Sequence, residues 1–73
     1  MKKYGKIIGV NGNMITVACE NDIIQNEVGY AVAGDELLKA EVIRIRGNLA
    51  FMQVFESTKG LKIGDSVEFS GQM

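Results

Sequence analysis

Seventy-three residues, 47% of them apolar, can form one small hydrophobic core and little more. Eight basic against nine acidic side chains leave a net charge of −1, which excludes a long-range electrostatic draw toward nucleic acid or anionic lipid. With no His and a single Cys, the chain composes no zinc site, no Cys-His or Ser-His-Asp arrangement and no intrachain disulfide.

Met1-Lys2-Lys3-Tyr4 leads into a glycine-punctuated strand, not into the apolar stretch of a signal peptide, and no 18-residue apolar run follows anywhere. Gly5 to Val10 reads as a first strand, with Ile8 and Val10 on one side and Ile7 on the other. Asn11-Gly12-Asn13 is the strongest turn signal, since Asn-Gly suits the two positive φ values of a type I′ hairpin. Met14 to Ala18 continues as the partner strand. Asn21-Asp22 opens a loop carrying Ile23 and Ile24, and Glu27 to Ala33 reads as a third strand around Val28, Tyr30 and Val32, closed by Gly34-Asp35. Leu37 and Leu38 lead into a fourth strand, Glu41 to Arg46, where Ile43 and Ile45 alternate with Arg44 and Arg46 so that one face turns inward. Gly47-Asn48 is a two-residue hairpin loop, and Leu49 to Phe55 is the fifth strand. Gly60 and Gly64 bracket Leu61-Lys62-Ile63, and Ser66 to Ser70 resumes alternation as a last short strand. About six antiparallel strands, short turns and no convincing helix predict an all-β fold, a small closed or nearly closed barrel.

No catalytic, cofactor-binding or metal-binding residue emerges. A GxxxxGK[ST] phosphate loop is missing, and the Gly60 to Gly64 spacing lacks the lysine and hydroxyl such a loop needs. Asp35-Glu36 is the closest carboxylate pair, but adjacent strand residues point opposite ways, so a solvated turn is favoured over acid-base chemistry. Asp65 is expected to cap its own turn. Cys19 reads as a small buried or half-buried side chain, without a His, Lys or Arg close in sequence to activate it.

The fifth strand is largely apolar on both faces: Leu49, Phe51 and Phe55 share one, Ala50, Met52 and Val54 the other. One face can line a barrel; the other is covered by the Ile23-Ile24 loop or by another molecule. Arg44 and Arg46 project to one common face that could bind a phosphate or an acidic partner surface; solvation or pairing with a cross-strand Glu is favoured, and a bridge to a neighbouring subunit is the functional version. Tyr4, Tyr30, Phe51, Phe55 and Phe69 form no stacking stripe of the kind that binds single-stranded nucleic acid.

The wording of the second half resembles a known family. Glu41-Val42-Ile43-Arg44-Ile45, Gly47-Asn48, Gln53-Val54-Phe55-Glu56, Thr58, Gly60-Leu61, Gly64-Asp65 and Val67-Glu68-Phe69 with Gly71 are similar to the N-terminal β-barrel of the catalytic A subunit of V-type and A-type rotary ATPases. Gly5-Lys6-Ile7-Ile8-Gly9-Val10-Asn11-Gly12 resembles that barrel's opening, so nearly the whole chain is covered, least distinctively from Cys19 to Leu38. Asn13, Ala40 and Ser66 depart from the usual proline, glycine and proline, and the barrel of the non-catalytic B subunit shares part of the wording.

The resemblance implies that residues 1–73 are a single N-terminal barrel domain, a fragment of a larger subunit without its nucleotide-binding domain. It further implies a structural, assembly role beside neighbouring A and B subunits in the crown of the soluble head, on the cytoplasmic side and without direct membrane insertion. ATP and Mg would belong to the parent subunit, with no cofactor in this fragment. The subunit-contact residues expected on this basis are Arg44, Arg46, Ala50, Met52 and Val54, and the isolated piece is expected to self-associate. A free-standing barrel of the nucleic-acid or translation-factor kind is the alternative class, since Gly-Leu-x-x-Gly-Asp-x-Val turns recur in many small barrels.

Overall fold

The computed structural model describes residues 3–20 and 22–73. Met1 and Lys2 of the expected lead-in, and Asn21 of the expected loop, lie outside these. Six strands succeed one another in chain order: β1 (Lys3–Asn11), β2 (Met14–Cys19), β3 (Val28–Ala33), β4 (Glu36–Arg46), β5 (Leu49–Val54) and β6 (Ser66–Phe69). They close into an antiparallel barrel in the order β1-β2-β5-β4-β3-β6, with β6 returning to β1. Closure satisfies every strand edge within the chain, which an open sheet of this length could not do.

Three two-residue loops set the hairpin registers. Gly12-Asn13, Gly34-Asp35 and Gly47-Asn48 each place glycine first, at φ 62, 62 and 61°. Positive φ at the first central position only is the sign pattern of a type II′ turn. The type I′ turn expected at Asn11-Gly12 is therefore replaced: Asn11 pairs with Met14 as the last rung of the ladder, and Gly12 rather than Asn11 opens the loop.

Two bulges shift the strand registers, and the second corrects a facing assignment. Between Ile7 and Gly9 the register of β1 against β2 shifts by one, so Ile7 stands opposite Val17 and Val10 opposite Ile15, both partners being buried. Ile8 is the extra residue, and it and Val10 are 49% and 38% exposed while Ile7 is buried, as the sequence leads one to expect. A second bulge between Val42 and Arg44 makes Ile43 the extra residue of β4, so it is extruded instead of turning inward.

The core follows the register. Ile15, Val17 and Cys19 of β2, Leu38, Ala40 and Val42 of β4, and Ala50, Met52 and Val54 of β5 are all buried, joined by Ile7, Ala31, Val67 and Phe69. Leu61 closes one end of the barrel and Ile23 the other, each partly buried against this cluster. Gly5 lets β1 approach β2 closely: a Cβ there would lie 2.5 Å from Val17 Cγ1 and 2.9 Å from the Ala18 carbonyl oxygen. The long β5-β6 loop is tied down by the Thr58 hydroxyl, which donates to the Gly12 carbonyl at 2.6 Å, and by the Gly64 amide, which donates to the Ile7 carbonyl at 2.7 Å. Asp65 caps its own turn as expected, its Oδ2 accepting from the Lys62 amide at 2.7 Å.

Candidate subunit-contact face

The outer surface of β2, β5 and β4 is built from three cross-strand rows. Ala18, Leu49 and Arg46 form the first, Thr16, Phe51 and Arg44 the second, and Met14, Gln53 and Glu41 the third. Directly opposed residues share a face, so these nine side chains all belong to the outside. Leu49 and Phe51 keep partial exposure there, while Arg44, Arg46 and Gln53 are exposed. Arg44 leans over the ring of Phe51, its guanidinium carbon 6.0 Å from the centroid, within the range of a cation–π contact.

This geometry divides the expected contact residues. Arg44 and Arg46 do share the outer face, as their spacing predicts. Ala50, Met52 and Val54 do not: they are 1%, 0% and 1% exposed and sit opposite the buried Val17, Ile15 and Ala40. No neighbouring molecule can reach them without opening the barrel, so the outward apolar residues of β5 are Leu49 and Phe51, with Phe55 just past its end at 53% exposure. A cross-strand Glu partner for the arginines is likewise replaced, because Phe51 and Leu49 occupy the facing positions.

The Ile23-Ile24 loop covers only one margin of this face. Ile23 turns into the barrel end and shares a shallow cleft of about 320 Å³ with Leu49, Ile45 and Asn48, whereas Ile24 is 53% exposed. Cys19 lines that cleft, its thiol donating to the Val17 carbonyl at 3.7 Å. Burial pushes the thiol above its ordinary pKa, the Glu27 carboxylate adds to the rise, and Lys3 opposes it. The thiol is thereby kept protonated and unreactive.

Among the described residues no group of three or more His, Cys, Asp or Glu side chains could hold a metal ion, and no helix is long and apolar enough to cross a membrane. Two features escape the sequence. Phe51 as an outward side chain is hidden by the near-apolarity of both β5 faces, and Glu27, buried just ahead of β3, carries no motif that would single it out.

Residues 7–71 match the model of the ATP synthase alpha/beta family, beta-barrel domain. The chain is 57% identical over 72 residues to the V-type ATP synthase alpha chain of Treponema denticola, covering 99% of this chain and 12% of the relative. It is 51% identical over 69 residues to the V-type ATP synthase alpha chain 1 of Treponema pallidum, covering 94% of this chain and 12% of that relative. Against the V-type ATP synthase alpha chain of Borreliella afzelii the identity is 49% over 73 residues, 100% of this chain and 13% of the relative. The chain therefore spans 12–13% of the length of these curated relatives.

Proposed function

The chain belongs to the ATP synthase alpha/beta family through its beta-barrel domain, and on that premise we propose that it is a structural, assembly module of the catalytic A subunit of a V/A-type rotary ATPase. Residues 1–73 are one barrel domain, and the nucleotide-binding domain, with its ATP and Mg, belongs to the rest of the parent subunit. The barrel packs beside neighbouring A and B subunit barrels in the crown of the soluble head, on the cytoplasmic side of the membrane. The parent complex couples ATP hydrolysis or synthesis to proton or sodium transport. This barrel contributes position, not chemistry.

The observation that carries the reading is the outward strip of Leu49 and Phe51 edged by Arg44 and Arg46, on a chain whose match runs from residue 7 to 71. An apolar centre with an arginine rim suits a protein neighbour, since such interfaces enrich aromatic residues and Arg. The names of the relatives, all V-type ATP synthase alpha chains, favour the A subunit over the B subunit. A nucleic-acid barrel is disfavoured by the net charge of −1.

Co-purification with the B-subunit barrel, followed by light scattering of each alone and of the mixture, tests this. A mixed complex lost in Phe51→Glu, with the variant still folded, supports the crown-module reading. Two inert monomers together with salt-sensitive oligonucleotide binding would sink it.

A further inference from the structure

Glu27 is the buried charged residue among the described residues, 1% exposed, and it sits in the loop before β3 rather than in the sheet. Its Oε1 accepts from Lys3 Nζ at 3.2 Å and from the Ile24 amide at 3.2 Å, and its Oε2 accepts from the Gly71 amide at 2.7 Å. Lys3 Nζ also donates to the Asp22 carbonyl at 2.8 Å. Three donors from the start of β1, the β2-β3 loop and the segment after β6 therefore converge on one carboxylate. Asn26 at φ 73° and Gly71 at φ 78° both adopt left-handed backbone, turning the chain on either side of the meeting point.

Sheet pairing ends at Phe69, opposite Lys3 and Gly29, so the ladder does not hold residues 70–72. Local bonds do so instead: the Val28 amide donates to the Gln72 carbonyl at 2.6 Å, and the Ser70 amide and hydroxyl both donate to the Val28 carbonyl, at 2.9 and 2.6 Å. We propose that the Glu27 carboxylate is a latch that fixes the path of the chain after β6, clamping residues 70–72 to loop 22–27 and to Lys3 so that this end of the barrel opens and closes as one unit. A carboxylate is suited to this because both oxygens only accept, and all three incoming groups are donors. On the reading proposed above, the latch would set the bearing of the barrel on the rest of the subunit; the latch itself rests only on the bonds that Lys3, Ile24 and Gly71 make to Glu27.

Residue-resolved amide exchange on the whole chain tests it. Glu27→Gln puts an NH₂ against one of the three donors, and the amides of Ile24, Val28 and Gly71 should then exchange about tenfold faster or more, while those of Val17 and Met52 hold. Should that variant fail to fold, Lys3→Met keeps the bonds to Ile24 and Gly71 but leaves the carboxylate uncompensated; the same three amides should loosen together by a smaller factor. Unchanged protection at Val28 and Gly71 in a folded variant overturns the latch. Equal acceleration that includes Val17 and Met52 also overturns it, because Glu27 would then support the barrel only as a whole.

Discussion

Arg44 and Phe51 face each other across β4 and β5 on the outer wall, the guanidinium carbon 6.0 Å from the ring centroid. A bulge at Ile43 brings them together, since without the extra residue Arg44 would fall on the inner face, in line with Val42. The pair combines a flat apolar surface with a charge that remains in water.

Removing either member should barely disturb the barrel. Arg44→Met and Phe51→Leu are expected to cost about 1 kcal/mol or less each, with a coupling of roughly 0.5–1 kcal/mol in a double-mutant cycle by urea denaturation. Their effect should fall on association with the B-subunit barrel instead. A loss of stability well above that range would show that Phe51 belongs to the core.

Met52→Ala should behave in the opposite way. Met52 is 0% exposed and central to β5, so truncation should cost about 2–5 kcal/mol, a large share of the stability of so small a domain. Circular dichroism during urea titration would read this as a large drop in midpoint, and Met52→Asp should leave the chain unfolded. A folded, fully stable Met52→Asp would contradict the inward phase of β5.

Gly5→Ala is expected to destabilise by about 1–3 kcal/mol, because the new Cβ meets Val17 Cγ1 at 2.5 Å and main chain at 2.9 Å. Val17 has no free rotation into empty space, being 0% exposed. The companion change Gly5→Ala with Val17→Ala should recover part of the loss. A thermal melt of the two variants side by side checks this.

Cys19 makes stability depend on alkaline pH. Its thiol is raised in the folded state above its ordinary value of 9.0, so between that pH and the folded pKa the folded chain holds a proton that the unfolded chain has released. Stability is therefore intact below pH 9 and falls as pH climbs through this window. Cys19→Ala should flatten that slope, and native-state alkylation at about pH 8 should be far slower than in urea. Equal alkylation rates in both states would overturn the burial argument.

Much of this molecule can be read in its residues because local physics suffices for it. Gly47-Asn48 and Gly34-Asp35 mark tight turns wherever they stand, since glycine alone takes positive φ freely. The alternation in β2, with Ile15 and Val17 flanking Thr16, carries its own inward phase. The wording around Gln53-Val54-Phe55-Glu56 points to the family without any coordinates.

Tertiary structure decided the rest, and always for one reason: the deciding quantity exists only between strands. β5 has little polarity contrast, Gln53 being the one polar side chain of its outer face, so Met52 and Phe51 exchange roles with a one-residue change of phase, and pairing with β2 and β4 selects between them. Ile43 is bulged only relative to its partner strand, and period-two reading therefore misplaces it. Glu27 acquires its donors from Lys3 and Gly71, separated from it by 24 and 44 positions and joined to it only when the barrel closes.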